Sequence, residues 1–333
     1  LLKIFSFLIL FQCLLFIFFD HFAKFIKLVD IPTNRKTHVG EIPLIGGIVI
    51  FITIFASLFL FNYPDEVLVI FFSSSIILIV GVIDDKFNIS ILPRFFFQII
   101  SCLIVIGYGI AITNLEYVYY NYYLNLYGFS VLFTFVSVIG FTNAINFIDG
   151  LDGLASGVLL NSLFAMILYS YFGDNFNNVE IIIVLILTLL IFLLSNFSII
   201  LKKSFLGDSG STFLGFFISF LIIFYTQGEE QNFHPFLAIW CVAYPIYDLI
   251  AVFIRRIYKG INPFMPDKRH FHFLLIDKGY SNKFSSFLIV LSSFALSIIG
   301  LIAFQIGGPI LSFVVFLIIF LLFFYASIYL SRI

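Results

Sequence analysis

The chain has 333 residues, 62% of them hydrophobic and only 11% charged, with a formal net charge of −1. A soluble protein carries about 25% charged and about 45–50% apolar residues, and at a mean hydropathy of +1.15 no soluble core could absorb the surplus. A soluble globular class is excluded, leaving an all-α polytopic membrane protein with no nucleic-acid partner expected.

Eleven apolar segments approach the roughly 20 residues that a membrane helix needs. They lie near 3–20, 44–62, 67–83, 95–112, 129–142, 154–172, 180–196, 211–226, 235–254, 285–304 and 309–330. The first has no small-residue cleavage signature after it and reads as a retained span. With alternating spans, sixteen of the seventeen Lys and Arg residues fall on one side, Lys3 being the exception. The opposite loops hold Asp65, Glu66, Glu116, Asp174, Glu180, Glu229 and Glu230. The positive-inside rule then predicts an outer N-terminus and a cytoplasmic C-terminus. It predicts one integral membrane domain over 1–333, with cytoplasmic loops near 21–43, 84–94, 143–153, 197–210 and 255–284. The outer stretch "EYVYYNYYLNLYG" reads as an interfacial aromatic belt in preference to a hairpin. Cys13, Cys102 and Cys241 lie in apolar runs, so neither a disulfide framework nor a cysteine metal site is expected.

The predicted cytoplasmic loops carry the chemistry. After the first span, "VDIPTNRKTHVGEIPLIGG" supplies Arg35, Lys36 and His38. After the third, "GVIDDKFNI" places Asp84 beside Asp85. Adjacent carboxylates repel unless a cation or a proton intervenes, so a metal is a natural partner, although a solvated helix end would look the same. After the fifth comes "NAINFIDGLDG", with Asn143, Asn146, Asp149 and Asp152 at every third position. Gly150, Gly153 and Gly157 favour a bent or broken backbone there over a straight helix. A calcium loop fits poorly, because the EF-hand order of ligands is absent. After the seventh, "FLGDSGSTFLG" sets Asp208 among small residues at a helix start, as an N-cap or beside an anion site. The last inner loop, "RRIYKGINPFMPDKRHFHFLL", holds a cluster from Asp267 to His272. Asp248, late in the ninth span, is expected to pair with a neighbouring basic helix end.

Acids in three loops and bases with histidines in two form a joint pattern. Oxygen ligands without thiolates point to Mg²⁺, with Mn²⁺ as the alternative. Metal with Arg, Lys and His suits phosphoryl or pyrophosphate chemistry. At the inner membrane surface, such a site suits a lipid phosphate meeting a soluble nucleotide.

These motifs, in this order, resemble the polyprenyl-phosphate N-acetylhexosamine-1-phosphate transferases, a branch of glycosyltransferase family 4, over essentially the whole chain. The resemblance implies Mg²⁺-dependent transfer of a HexNAc 1-phosphate, by default GlcNAc, from a UDP-sugar to undecaprenyl phosphate, with release of UMP. It implies a bacterial inner-membrane enzyme that starts O-antigen, capsule or other envelope polysaccharide, surrounded by lipid and leaving room for a homodimer. It casts Asp84, Asp85, Asp149 and Asp152 as catalytic, and Asp208 with Asp85 as metal-binding. It casts Asn146, Arg269, His270, His272, Arg35, Lys36 and His38 as substrate-binding. Asn88 resembles the GlcNAc-1-phosphate branch; the phospho-MurNAc-pentapeptide transferase of peptidoglycan synthesis typically has Lys there and is the alternative enzyme. Phe273 departs from the family's frequent His-x-His-His pattern. A lipid-carrier flippase is the rival of another class, but the charges gather in loops instead of along the spans.

Overall fold

Leu, Ile, Val and Phe dominate the apolar segments, and in lipid only a helix or a closed barrel satisfies every backbone amide. The computed structural model describes residues 1–32, 40–119, 122–228, 231–262 and 269–331 and is accordingly helical. In chain order it runs α1 (Leu2–Ile26), β1 (Val29–Asp30), β2 (Ile42–Pro43), α2 (Gly46–Ser57), α3 (Asp65–Phe87) and α4 (Ile91–Gly107). Then follow β3 (Asn114–Tyr119), β4 (Tyr122–Asn125), α5 (Ser130–Ile148), α6 (Leu154–Phe172), α7 (Glu180–Asn196) and α8 (Gly207–Thr226). The chain ends with α9 (Pro235–Cys241), α10 (Ala243–Tyr258), α11 (Phe271–Asp277) and α12 (Asn282–Ser331).

Among the described residues, six helices are long and apolar enough to cross a membrane: α1, α3, α5 with its preceding turn, α6, α8 and α12. The bent pair α9–α10 makes a seventh if it counts as one span. This is the multi-pass class that composition requires. The eleven expected spans are not confirmed by this set, which leaves out shorter apolar helices and takes the last helix as one. Helices α2, α4 and α7 are apolar but short. The last two apolar segments join in one 50-residue helix, kinked where Gly307 and Gly308 leave helical geometry just before Pro309. A proline removes an amide donor and crowds the preceding turn.

The chain divides into two compact units, Leu1–Gly109 with Asn178–Phe217, and Ile110–Asn177 with Ile218–Ile333. In the first, Phe51, Phe71, Phe213 and Phe217 form an aromatic core, with Phe51 and Phe71 stacked at 4.7 Å. Small residues allow the helices to approach closely, as membrane packing favours. Gly47 of α2 lies against Gly210 of α8, and Gly81 of α3 lies against Ser209. Strands β1 and β2 pair antiparallel, Val29 opposite Pro43. The buried Asp20 is ion-paired with Lys24 and Lys202.

In the second unit the chain bends by 72° between α9 and α10. Pro245 explains the bend, because its ring would meet the carbonyl of Cys241 four residues back. That carbonyl instead accepts a 2.7 Å hydrogen bond from Ser162 of α6. Trp240 donates to Ser312 at 2.8 Å and covers Gly300 of α12. The tyrosine-rich stretch forms an antiparallel hairpin, β3 with β4, where a belt was the expected reading. Aromatic residues favour strands as well as interfaces, and Gln227 ties the hairpin base by accepting from the amides of Thr113 and Asn114.

Candidate active site

In the first unit, Asp84 and Asp85 occupy the last turn of α3. The helix stops at Asn88, whose backbone is left-handed (φ 50°) and whose amide donates to the Asp84 carbonyl at 2.7 Å. Asparagine tolerates that conformation better than most residues. The reversal brings Arg94, in the first turns of α4, back onto the acids. One Arg94 nitrogen donates both to Asp84 and, at 3.0 Å, to Asp208.

Asp85 makes different contacts. One of its oxygens accepts the Asp208 amide at 2.8 Å and the other accepts the Ser209 amide at 3.1 Å. It thus caps the start of α8 from another helix, meeting donors that have no partner within α8. Gly207 makes room for the cap: its φ is +77°, and a Cβ there would lie 2.6 Å from the Asp85 carboxylate. Asp84 is buried, whereas the Asp208 side chain is 43% exposed. A crevice beside the acids is lined by Gly81, Phe97, Gln98 and Thr212, among others, with Arg94 and Asp208 at its polar end. The sequence-predicted Asp84, Asp85 and Asp208 therefore come together. Sequence reasoning places Arg94 only among the sixteen basic residues of one side; its signal is a guanidinium shortly after a chain-reversing Asn.

In the second unit, Asn143 and Asn146 lie in the last turns of α5, and the helix ends at Asp149. The backbone breaks over 149–153, and α6 starts after Gly153, whose φ is +74°. Asn143 donates to the Ile139 carbonyl at 2.8 Å, and the Asp152 carbonyl accepts from Ser286 at 3.0 Å. Asn146, Asp149 and Asp152 are half-buried.

The same unit brings the histidine motif to this loop. His272 is fully buried, neither ring nitrogen has a hydrogen-bond partner among the described residues, and its ring lies 4.1 Å from that of Phe273. A Cβ at Gly150 would lie 2.9 Å from His272 Nε2, so the glycine gives the imidazole its space. Burial pushes the His272 pKa down to about 4, against a smaller upward pull from Asp248. His270 directly precedes α11 and its ring lies 5.4 Å from Phe147. Its Nδ1 is 2.7 Å from Asp248, which also accepts the Phe271 amide at 2.8 Å. The partner of Asp248 is thus His270, a histidine at the start of α11. Arg255 donates to the Arg269 carbonyl and, at 3.1 Å, to that of Ser327. Arg35, Lys36 and His38 lie outside the described residues, as do Asp267 and Lys268.

The family model described as glycosyl transferase family 4 matches residues 67–226. An *Escherichia coli* K12 protein is 31% identical over 294 residues, 87% of this chain and 80% of its own length. The chain belongs to glycosyl transferase family 4. The *Escherichia coli* relative is named undecaprenyl-phosphate alpha-N-acetylglucosaminyl 1-phosphate transferase. Relatives of the same name from *Yersinia pestis* (32% over 83% of this chain, 77% of theirs) and *Haemophilus influenzae* (33% over 84% and 80%) agree with it. In this glycosyl transferase family 4 chain, the matched segment runs from α3 to α8 and contains Asp84, Asp85, Arg94, Asn146, Asp149, Asp152 and Asp208.

Proposed function

We propose that this chain transfers GlcNAc 1-phosphate from UDP-GlcNAc to undecaprenyl phosphate, releasing UMP and supplying the first lipid-linked sugar of an envelope polysaccharide. The observation that carries the reading is the Asp84–Arg94–Asp208 group at the start of α8, in a chain whose relatives carry the name of that reaction. The eleven apolar segments, read as spans, would place the N-terminus outside and the acid and histidine loops at the cytoplasmic surface of the inner membrane. That is where a soluble nucleotide-sugar meets a lipid phosphate.

The residues present fit Mg²⁺. Asp84 and Asp208 offer only hard oxygen donors, and a cationic group already lies against both. Mg²⁺ binds through one or two carboxylates, waters and substrate phosphates, a set these two acids and a diphosphate could supply. Bound there, Mg²⁺ would neutralise charge on the donor's diphosphate. Asp85 would act through structure, fixing the first turn of α8 and hence Asp208. Arg94 would release carboxylates and receive phosphate oxygens, as a planar guanidinium does well. His270, His272 and Arg269 would address the nucleotide, and Phe273 would pack against His272.

A phosphate monoester has a second pKa of about 6, so the acceptor is largely dianionic at neutral pH and needs little help from a base. Its oxygen forms a bond to the phosphorus that carries the sugar. The bond from that phosphorus to the bridging oxygen breaks, and its electron pair leaves with UMP in one in-line displacement. The test is purified protein with undecaprenyl phosphate and a panel of labelled UDP-sugars, scored for lipid-linked sugar diphosphate and UMP. Full activity in EDTA would remove the metal from the reading. Exchange of labelled UMP into UDP-GlcNAc with lipid rigorously absent would replace direct displacement by a covalent route.

A further inference from the structure

Asp248 lies one turn beyond the bend between α9 and α10 and is buried, yet it belongs to none of the acidic loop motifs. A buried carboxylate is costly unless each oxygen is occupied. Here both are: one takes the ring of His270 at 2.7 Å, the other the amide of Phe271 at 2.8 Å. His270 makes no side-chain cap for α11 itself, so Asp248 supplies the cap from a separate helix. Seven residues along α10, on the same face, Arg255 holds the Arg269 carbonyl. The segment Arg269–Phe271 is thus gripped at three consecutive residues by two side chains of one helix.

The chemistry of the acceptor sets the chemistry of the ring. An ionised carboxylate can only accept, so the hydrogen bond requires the proton on His270 Nδ1. That leaves Nε2 as the ring nitrogen not engaged by Asp248. We propose that Asp248 is the positioning residue of the transferase site: with Arg255 it fixes the Arg269–Phe271 segment and keeps a proton on His270 Nδ1, so that Nε2 faces the nucleotide donor. This rests on the transferase reading above. His270 would touch substrate, while Asp248 would act only through it.

Asp248→Asn separates this role from simple packing. The amide keeps the volume, and its oxygen can still accept the Phe271 amide, but its NH₂ group now faces Nδ1. The ring must then carry its proton on Nε2. Solid-state ¹⁵N NMR of histidine-labelled protein in lipid bilayers reads the tautomer directly, with His270→Gln identifying the signal. The expected result is protonated Nδ1 in the wild type and protonated Nε2 in Asp248→Asn. With it should come a fall of at least tenfold in kcat/KM for UDP-GlcNAc, and KM for undecaprenyl phosphate within twofold. Asp248→Ala tests the cap as well and should also lower the yield of folded protein. An unchanged tautomer in Asp248→Asn, or a changed tautomer with unchanged kinetics, overturns the proposal. A wild type that uses no UDP-sugar while its His270 carries the proton on Nδ1 would sink the transferase reading and leave the Asp248–His270 geometry standing.

Discussion

Arg94 Nη1 stands 3.0 Å from Asp208 Oδ2 while the same nitrogen donates to Asp84, so one guanidinium joins the end of α3 to the start of α8. Arg94 is a cation that holds the two acids together. Arg94→Gln should therefore destabilise the protein by about 1–3 kcal/mol, the cost of leaving a largely buried partner unsatisfied. Mg²⁺ should restore more of the unfolding temperature in Arg94→Gln than it adds to the wild type, because ligand binding to the folded state stabilises it. Equal Mg²⁺ shifts in the two proteins would show that Arg94 and the ion do not share these carboxylates.

The two oxygens of Asp85 meet two successive amides of α8. Asparagine has one acceptor oxygen, so Asp85→Asn can keep only one of these bonds. Activity should fall at every pH between 6 and 9, and unfolding should shift downward by about 1 kcal/mol or more. If raising the pH alone restored most of the rate, proton abstraction by Asp85 would be the correct account.

Much of this was legible in the sequence for a simple reason: hydropathy and glycine placement are local. The break at Asp149–Gly153 follows from the Gly150 and Gly153 positions, and the helical class follows from the apolar segments. What stayed hidden depends on tertiary approach. Nothing local to Asp248 reveals that His270, 22 residues later, will return to it. Arg94 likewise gains its meaning only after Asn88 turns the chain. The hairpin was misjudged because tyrosine serves strands and membrane interfaces equally well. The bend at Pro245 divides an apolar segment that hydropathy averages into one.

His272 gives a pH signature. Its pKa is about 4 in the fold against the ordinary 6.5, chiefly because burial disfavours the imidazolium. The unfolded chain therefore takes up this proton first as pH falls. The contribution is fully present above about 6.5 and is lost progressively down to about 4, with a ceiling on the order of 3 kcal/mol. His272→Phe should flatten the stability curve across that window relative to the wild type. Parallel curves from chemical denaturation at stepped pH would contradict the assignment.

Packing carries the last expectation. Gly81 sits on α3 one turn before Asp84 and Asp85, against the Cα, backbone nitrogen and Cβ of Ser209. A methyl group at position 81 would fall well inside contact distance of Ser209, and the neighbour is backbone, which cannot rotate away. The start of α8 would have to move off α3, lengthening both amide bonds to Asp85 and carrying Asp208 away from Arg94. Small residues where helices touch are how membrane helices approach closely, and overpacking costs about 1–3 kcal/mol. Gly81→Ala, which alters no charged group, should therefore lower kcat/KM at least tenfold and lower the unfolding temperature. Gly107→Ala, at the end of α4 with open space around its Cβ position, should leave both within twofold of the wild type or near its unfolding temperature. A fully active Gly81→Ala enzyme would mean that α8 does not depend on this close approach to hold Asp208 in place.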